Sequence, residues 1–399
     1  MQEVYVGPSQ LRGRIKPPPS KSMAHRVLIA AALAQGCVED VGKWGLTGEL
    51  SQDLKATQSC LEELLAPNPD PVLDCGESGS TLRFLLPLAA ALGRSALFVG
   101  KDSLARRPLR EYAEILGPRG VRLEFAGEQN LPVKVGGKLQ SGVFQVPGHI
   151  SSQYITGLML ALPLLEGDST IVLTTPLQSA PYVEMTQAVL DLFGIVVRPA
   201  AAGWVVPGRQ KYVLPEELEL EADYSQAAFW LAAKSLGHAL EVEGLSVQSV
   251  QGDREIIPLL EEMGRWKPGE ERRIDAAQIP DLVPILAVVA LARPGVTILE
   301  NAQRLRFKES DRLLSTAEML GSMGAKIAAT TDSLLIHGGE QLTGGEVDAH
   351  NDHRIAMAAA ISALNSRNGA TIMGADAVGK SYPGFFQELQ RLGGDVRGI

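Results

Sequence analysis

The stretch NDHRIAMAAAISALNSRNG, residues 351–369, carries the pattern that decides the fold. Its polar opening, Asn351-Asp352-His353, leads into an Ala-rich apolar body, Arg354–Leu364, and this order predicts a buried helix. Gly369 then closes the segment before a strand, because glycine readily adopts the left-handed backbone that commonly ends a helix. Five further helix bodies repeat the pattern, namely Arg26–Gln35, Leu82–Leu92, Tyr154–Leu165, Ala227–Leu236 and Leu282–Ala292, and the glycines that follow them are Gly36, Gly93, Gly167, Gly237 and Gly295.

A second motif, a helix that runs into glycine and then into a short apolar–basic strand, recurs in step with the first. Its copies are Leu190–Ile195, Leu260–Gly264, Glu318–Ala325, Leu389–Val396, Ala113–Val121 with a small insertion, and Cys60–Pro67 without the glycine. Intervals of roughly 50–75 residues suit whole α/β units rather than solenoid repeats. We therefore predict six α/β units, each with two helices and several strands; an ordinary α/β chain with chance similarity between its helices is the alternative.

The openings of the six Ala-rich helices are polar or charged. They are Ser20-Lys21-Ser22, Ser78-Gly79-Ser80, Ser151-Ser152-Gln153, Asp223-Tyr224-Ser225, Pro280-Asp281 and Asn351-Asp352-His353. A helix start presents N–H groups without intrahelical partners and a partial positive charge, so it suits anions. If several of these starts face one cleft, that cleft is expected to attract a multiply anionic ligand.

Length and composition argue against several classes of protein, among them nucleic-acid-binding, secreted and membrane proteins. The 399 residues favour two domains, and the net charge of −9 argues against nucleic acid as a partner. Three widely spaced cysteines indicate a reducing compartment, and Met1–Arg14 lacks the apolar core of a secretory signal. The longest apolar run, Leu282–Ala292, is too short to span a bilayer. We therefore expect a cytoplasmic protein without a membrane partner.

The six units suggest where the two domains meet. A crossing near Ala222 divides the units three and three, and the stiff Lys16–Pro19 stretch is a candidate second crossing. The predicted domains are residues 19–221 and residues 1–18 together with 222–399. In this arrangement the N-terminal strand belongs to the C-terminal half.

Several clusters of polar and charged residues can bind a ligand or take part in catalysis, although each alone also fits a purely structural role. Ser20–Arg26 and Gly76–Arg83 fit anion-binding helix starts, but they are equally typical of capped helices with solvated charges. Arg304–Arg312 holds four cations and two carboxylates between a predicted strand and a predicted helix, where α/β proteins place ligand sites. A buried Lys–Glu–Arg group there would have shifted pKa values and could transfer protons. His350 and His353 with Asp352 make a poor zinc set without a distant fourth ligand, so we expect no metal.

Together, the clusters resemble the enolpyruvyl transferase family, and most closely its members that act on shikimate 3-phosphate. The matching motifs follow the family's order and cover nearly the whole chain. They are PPSKSMAHR (Pro18–Arg26), GESGSTLR (Gly76–Arg83), ARRP (Ala105–Pro108), SSQY (Ser151–Tyr154), IPD (Ile279–Asp281), RFKESDR (Arg306–Arg312), NDHR (Asn351–Arg354) and GKSYP (Gly379–Pro383). Each motif is moderately specific, and the ordered set is highly specific.

The resemblance implies an α/β fold of two similar domains, each of three βαβαββ units, with the active site in the cleft between the domains. It also implies the reaction. The enolpyruvyl group of phosphoenolpyruvate passes to the 5-hydroxyl of shikimate 3-phosphate, and phosphate leaves, as a step of chorismate and aromatic amino-acid biosynthesis. No cofactor and no metal are implied, and we expect a monomer.

Site residues carried over from the family fall into three groups. Those expected to bind phosphoenolpyruvate are Lys21, Gly79, Arg107, Gln153, Arg312, Arg354 and Lys380. Those expected to bind shikimate 3-phosphate are Lys21, Ser22, Arg26, Ser151, Ser152, Gln153, Ser179, Tyr182, Asp281 and Lys308. The catalytic candidates are Asp281, as the base for the 5-hydroxyl, and Glu309, as the proton donor to the methylene carbon, with Lys21 as its rival. His353 is expected to support the site by hydrogen bonding.

This chain departs from the family pattern at a few positions. The family usually has Gly at Pro19, Asn at His25, Glu77 and Arg304, Thr at Ser80, and Pro at Phe84. Glu77 adds negative charge near a predicted phosphate, which puts substrate affinity in question more than reaction type. Because Gly79 and Arg107 are retained, the herbicide glyphosate is expected to compete with phosphoenolpyruvate, with a strength that Ser80 and Phe84 leave open.

Two alternatives remain at this stage. A UDP-N-acetylglucosamine enolpyruvyl transferase would share the fold, but it uses a Cys in a mobile loop, and the corresponding stretch Lys101–Gly117 has none. A non-catalytic anion-binding protein of the same fold would need the basic residues but not Asp281 and Glu309, so their presence favours an enzyme.

Overall fold

The computed structural model describes residues 2–38, 44–45 and 49–399. These residues form two compact units. The inserted unit comprises Lys21–Leu220, and the terminal unit comprises the segment through Ser20 together with Glu221–Ile399. Each unit has its own apolar core, rich in Ala and Leu.

Helices and strands alternate along the chain. The terminal unit begins with β1 (Glu3–Gly7) and β2 (Arg12–Ile15). The inserted unit contains α1 (Lys21–Gln35), α2 (Gln52–Leu65), β3 (Val72–Asp74), α3 (Gly79–Ala91), β4 (Ala96–Val99), α4 (Glu111–Leu116), β5 (Val121–Phe125), β6 (Val133–Gly137), β7 (Val143–Pro147), α5 (Ser152–Ala161), β8 (Ser169–Thr175), α6 (Ala180–Leu192), β9 (Arg198–Ala200) and β10 (Gly203–Val206). The terminal unit resumes with α7 (Tyr224–Ser235), β11 (Ala239–Val242), α8 (Ile256–Gly264), β12 (Glu271–Asp275), α9 (Val283–Leu291), β13 (Gly295–Glu300), α10 (Arg312–Ser322), β14 (Lys326–Ala329), β15 (Leu334–Gly338), β16 (Gly345–Asp348), α11 (His353–Leu364), β17 (Ala370–Met373), α12 (Phe385–Arg391) and β18 (Asp395–Arg397).

The structure contains four separate four-stranded sheets that share one pattern of strand order and direction. The strand orders are β3-β4-β6-β5, β7-β8-β10-β9, β12-β13-β15-β14 and β16-β17-β1-β18. In each sheet the first two strands are parallel and the remaining pairs are antiparallel. Three of the four are continuous βαβαββ segments. The predicted α/β class with repeated units is confirmed.

The fourth sheet is completed by the start of the chain. β1 lies between β17 and β18 and is antiparallel to both, with Val6 opposite Ala370 and Val396. β2 pairs in parallel with β11, so the start of the chain also contributes to a two-stranded sheet beside α7 and α8. In the first part of the inserted unit, the described residues form α1 and α2.

The interior helices are buried on all sides. Every residue of α9 and of α11 is buried, as expected for a helix whose sequence is apolar around its whole circumference. Strand burial instead alternates: Phe144 and Val146 of β7 are buried, whereas Val143 and Gln145 are exposed. One sheet face therefore packs on the helices and the other faces solvent.

The predicted helix ends are mostly confirmed. Five of the six closing glycines have positive φ, from 67° at Gly93 to 134° at Gly295, although Gly295 is the first residue of β13. Gly167 is the exception and its predicted role is wrong, because α5 ends in a 3₁₀ turn, Leu162–Leu164, that contains Pro163. Five of the six helices also begin one to five residues before the predicted bodies, since their polar openings are themselves helical or capping, whereas α9 begins at Val283, one residue after its predicted start.

Among the described residues, no helix combines the length and the apolar character that crossing a membrane requires.

Candidate active site

The openings of α9, α10 and α11 place ionisable side chains together in the terminal unit. Asp281 lies in a 3₁₀ turn, Pro280–Leu282, that leads into α9. Arg312 is the first residue of α10, and Asp352 caps α11 by accepting a hydrogen bond from the Arg354 amide at 2.9 Å. Three of the predicted site residues, Asp281, Arg312 and Arg354, are thereby brought into direct contact.

Asp281 is held by three cations. Its Oδ1 accepts hydrogen bonds from Arg312 Nη1 at 2.8 Å and from Lys308 Nζ at 3.2 Å, and its Oδ2 accepts from Arg354 Nη2 at 3.0 Å. Arg354 Nη1 also donates to the main-chain carbonyl of Asp281 at 3.1 Å. We call Asp281 with Lys308, Arg312 and Arg354 the cation clamp. A carboxylate so surrounded is stabilised in its charged form and is a weak proton acceptor.

Arg312 is the most buried member of the cation clamp, with a side chain only 1% exposed. It donates to Asp352 Oδ2 at 2.7 Å and to Glu309 Oε2 at 2.5 Å, in addition to Asp281. Burial lowers the pKa of Arg312, but the carboxylates of Asp352, Glu309 and Asp281 outweigh it and the net pKa is raised. The guanidinium is therefore permanently charged, and three protein anions occupy it.

The other predicted residues of the terminal unit surround the cation clamp. Burial lowers the pKa of Lys308, although neighbouring Asp281 opposes that shift. Lys380 is buried and donates to the Asn351 carbonyl at 2.5 Å, which ties the C-terminal loop to the start of α11. His353 Nδ1 lies 3.8 Å from Asp352 Oδ1. Among the described residues, no group of three or more His, Cys, Asp or Glu has a geometry that could hold a metal ion.

A buried acid that the sequence analysis did not single out lies in the same unit. Asp253, in the 3₁₀ turn Gly252–Glu255, is 3% exposed and accepts a hydrogen bond from the Ser225 hydroxyl. Burial raises the pKa of Asp253 to about 6, with a further rise from Asp281 and an opposing effect from Arg354. Asp253 is thus electrostatically linked to two members of the cation clamp.

In the inserted unit, the start of α1 meets the start of α2. Lys21 Nζ lies 2.7 Å from Asp53 Oδ2, and both side chains are less than a fifth exposed. Asp53 was missed by the sequence analysis, although an acidic residue in the first turn of a helix is a usual complement to the helix dipole. His25 is buried nearby and bonds Thr57 Oγ1 through Nδ1 at 2.7 Å. Burial, with Lys21 and Arg26, lowers its pKa well below the ordinary value, so His25 is neutral.

Two guanidinium groups press against the start of α3. A Cβ added to Gly79 would lie 2.8 Å from Arg107 Nη1 and 2.9 Å from Arg83 Nη1, closer than real Cβ contacts. Arg83 also donates to Gln153 Oε1 at 2.9 Å, and Gln153 donates to Ser80 Oγ at 3.0 Å. Two like charges held at a helix start form an arrangement suited to an anion. Arg83 is a second residue that the predicted set lacked, although its motif was quoted.

Arg26 is 3% exposed, and its guanidinium donates to protein acceptors. Nε donates to Thr186 Oγ1 at 2.8 Å, Nη1 to the Ser22 carbonyl at 2.6 Å, and Nη2 to the Tyr182 carbonyl at 2.9 Å. Burial lowers the pKa of Arg26 to about 9. This geometry ties α1 to α6, and a direct contact of Arg26 with a ligand stays a prediction.

The predicted hydroxyl residues lie at helix starts of the inserted unit. Ser151 caps α5 by accepting a hydrogen bond from the Gln153 amide at 3.2 Å, and Ser152 is buried in the first turn. Ser179 precedes α6 in a left-handed conformation with φ 55°, which is uncommon for a residue other than Gly and costs backbone strain. The expected contacts of these residues with shikimate 3-phosphate stay predictions.

Comparison with known proteins shows what this chain is similar to. The family model described as EPSP synthase (3-phosphoshikimate 1-carboxyvinyltransferase) matches residues 6–389. A 3-phosphoshikimate 1-carboxyvinyltransferase of Clostridium acetobutylicum is 41% identical, over 99% of this chain and 98% of the relative. One from Clostridium perfringens is 39% identical over the whole of both chains.

Solved structures share the fold. An EPSP synthase from Acinetobacter baumannii matches with a TM-score of 0.76 at 24% identity, over 99% of this chain and 100% of that one. The enolpyruvyl transferase NikO from Streptomyces tendae matches with a TM-score of 0.74 at 18% identity, over 99% of this chain and 98% of that one. At these identities the structural likeness establishes the fold alone.

Proposed function

The chain belongs to the EPSP synthase (3-phosphoshikimate 1-carboxyvinyltransferase) family, and from that membership we propose how its own residues carry out the family's reaction. The enzyme transfers the enolpyruvyl group of phosphoenolpyruvate to the 5-hydroxyl of shikimate 3-phosphate and releases phosphate. Because the relatives carry this activity in their names, the alternative of a UDP-N-acetylglucosamine enolpyruvyl transferase is less supported. The observation that carries the proposed residue roles is the cation clamp around Asp281.

Cations on both units are proposed to bind phosphoenolpyruvate. The terminal unit offers Arg312, Arg354 and Lys380, and the inserted unit offers Lys21 and Arg107. Arginine suits this role because its fork of donors matches carboxylate and phosphate oxygens. Gly79 supports the proposal, since only a residue without a side chain lets the backbone approach the Arg107 guanidinium so closely.

Asp281 is proposed to be the base for the 5-hydroxyl of shikimate 3-phosphate. Held by three cations, its carboxylate is a weak base. When the phosphate and carboxylate of phosphoenolpyruvate bind Arg312 and Arg354, they compete with Asp281 for these donors and raise its proton affinity. Binding of the first anion thereby prepares the base, and Asp281 then accepts the hydroxyl proton as the oxygen attacks.

Proton delivery to the methylene carbon is proposed for Glu309, with Lys21 as the rival donor. Protonation makes the adjacent carbon electrophilic, and the 5-hydroxyl oxygen adds to it. The tetrahedral adduct then collapses as its C–O bond to phosphate breaks and its methyl group loses a proton, which restores the C=C bond. The contact of Glu309 with Arg312 supports a place for this carboxyl beside the phosphoenolpyruvate cations. Shikimate 3-phosphate is assigned to Ser22, Arg26, Ser151, Ser152, Gln153, Ser179, Tyr182 and Lys308, together with Lys21 and Asp281.

Four finer statements are part of the same proposal. We propose that the enzyme is a cytoplasmic monomer, and that its domains are residues 19–221 and residues 1–18 with 222–399. We also propose that glyphosate competes with phosphoenolpyruvate for the same cations. The two-unit division of the structure supports the proposed domain boundaries.

The test of this proposal is phosphate release from phosphoenolpyruvate. Wild-type protein should release phosphate only when shikimate 3-phosphate is also present, and UDP-N-acetylglucosamine should not replace it. Asp281→Ala should cut turnover about 100-fold or more, because a positioned base typically contributes 10²–10⁴-fold, while phosphoenolpyruvate binding is largely retained. Tight binding of both substrates without any phosphate release would instead identify a non-catalytic anion-binding protein. Near-normal turnover of Asp281→Ala would remove Asp281 from the role of base.

A further inference from the structure

The turn that carries Asp253 is fixed against the start of α7 by its neighbours. The Tyr224 amide donates to Gln251 Oε1 at 3.0 Å, and Gln251 Nε2 donates to the Ala222 carbonyl at 2.9 Å. Arg254 Nη1 donates to the Ser249 carbonyl at 2.7 Å. Buried hydrogen bonds of this kind hold the turn in one conformation, so the carboxyl of Asp253 has a defined place.

Only one of the two carboxyl oxygens of Asp253 accepts a hydrogen bond from the residues that the structure describes. Oδ2 accepts the hydrogen bond of the Ser225 hydroxyl, whereas Oδ1 has no hydrogen-bond partner among the residues that the structure describes. A buried carboxyl oxygen without a partner costs free energy that an apolar side chain would not. Such a group is a stability liability, and a functional reason for it is expected.

The proposed role of Asp281 as a base supplies a functional reason for the buried charge of Asp253. As a base it must bind a proton, yet Lys308, Arg312 and Arg354 all disfavour its protonation. A nearby negative charge opposes these cations. Within the terminal unit, the carboxylate of Asp253 interacts electrostatically with both Asp281 and Arg354, and it makes no hydrogen bond to either.

We propose that Asp253 is a positioning residue for Asp281, whose buried negative charge offsets the cation clamp and keeps Asp281 basic enough to accept the substrate proton. The proposal rests on the proposed role of Asp281 as the base. Asp253 itself touches neither substrate in this scheme; it acts through the proton affinity of its neighbour.

The groups that face Asp253 set the pH at which this effect works. They are the Ser225 hydroxyl and Asp223 at the start of α7, Asp281 before α9, and Arg354 of α11. Burial first, then Asp281, raise the pKa of Asp253 to about 6, while Arg354 and the Ser225 hydrogen bond lower it. The charge is therefore present at neutral pH and is lost as the pH falls through about 6.

Asp253→Asn removes the charge and keeps an acceptor for Ser225. In this variant the kcat at pH 7.5 should fall about threefold to tenfold, because a weaker base transfers the proton more slowly. Wild-type kcat should show an inflection near pH 6 that Asp253→Asn lacks. Ser225→Ala should move the inflection to higher pH, since the lost hydrogen bond stabilised the ionised form. The KM for phosphoenolpyruvate should change little in either variant.

Asp332→Asn is the matched control. Asp332 also accepts a hydroxyl hydrogen bond, from Thr330 Oγ1 at 3.2 Å, but it is exposed on the surface of the same unit. The Asp332→Asn substitution should leave the pH profile of kcat unchanged. An inflection that persists in Asp253→Asn, or one that Asp332→Asn removes equally, overturns the proposal.

A readout independent of turnover separates this proposal from the proposed function. Carboxyl ¹³C resonances of Asp281 and Asp253, assigned through Asp281→Asn and Asp253→Asn, should be titrated in the ligand-free protein. Coupling between two charged groups is reciprocal, so the pKa of Asp253 should be lower in Asp281→Asn, where the negative charge that raises it is lost, than in wild type. An Asp253 pKa that is the same in Asp281→Asn and in wild type overturns the inference even if wild-type protein releases phosphate as expected. Normal turnover of Asp281→Asn overturns the role of the base and, with it, that of Asp253.

Discussion

Replacement of Asp253 by Asn should stabilise the protein at neutral pH even as it slows the reaction. In the unfolded chain the pKa of an Asp is near 3.8, and in the folded terminal unit that of Asp253 is raised to about 6, chiefly by burial. The difference is about two units, and each unit corresponds to about 1.36 kcal/mol. Ionised Asp253 therefore lowers the free energy of unfolding at pH 7 by on the order of 3 kcal/mol.

The sign of the pH dependence of stability follows from whether the folded or the unfolded chain binds the proton of Asp253. Between about pH 4 and pH 6, folded Asp253 is protonated while the unfolded side chain has released its proton. The contribution of Asp253 to wild-type stability therefore becomes less favourable as the pH rises through this window, whereas Asp253→Asn has no such contribution. The stability difference between variant and wild type should grow by about 1.4 kcal/mol between pH 5 and pH 7.5.

The assay is urea unfolding of both proteins at pH 5 and at pH 7.5, followed by Trp fluorescence and circular dichroism. Trp230 lies buried in α7, the helix whose Ser225 donates to Asp253, so its fluorescence reports the terminal unit. Asp332→Asn should track wild type at both pH values. The reasoning is refuted if the difference between Asp253→Asn and wild type is the same at pH 5 and pH 7.5, or if it shrinks as the pH rises.

Three further predictions concern groups outside that turn. Gly79→Ala should push the Arg107 guanidinium out of place and raise the KM for phosphoenolpyruvate about tenfold with little loss of stability; an unchanged KM would show that this guanidinium does not bind that substrate. Asp53→Asn should lower kcat about tenfold without raising that KM, because Lys21 loses its anchor while local positive charge increases; a matched rise in KM would show that Asp53 holds Lys21 for substrate binding rather than for the chemical step. His238, whose Nδ1 accepts the Leu11 amide at 3.1 Å and whose pKa burial lowers, should make wild-type stability fall as the pH drops below about 6.5. Melting temperatures from pH 7.5 to 5.5 should fall more in wild type than in His238→Asn, in which the buried His25 still contributes a loss.

The repeated helices were predictable because their signal is local. In α11 the cap Asp352, the apolar body and Gly369 all lie within twenty residues of sequence, and each has a direct physical role. The misassignment of Gly167 has an equally local cause, since Pro163 had already ended the helix. Strong short-range patterns therefore gave the element types and most of the helix ends.

The missed site residues have no such local pattern. Asp253 lies in a short turn, and its burial depends on how that turn meets α7, which is a tertiary property. Asp53 is an ordinary first-turn acid until Lys21 is placed against it from another helix. Arg83 lies in a buried helix whose body is mostly apolar, so only its contacts with Gly79 and Gln153 indicate a functional role. Long-range pairing decides all three.

The placement of β1 has a consequence for how the chain matures. Glu3 pairs with Met373, and β1 separates β17 from β18, so this sheet stays incomplete until β17 and β18 have been synthesised. The inserted unit, by contrast, draws only on Lys21–Leu220 and can begin to condense during translation. β1 therefore leaves the ribosome well before the two strands that it pairs with, and in the meantime its free edges must be kept from neighbouring nascent chains.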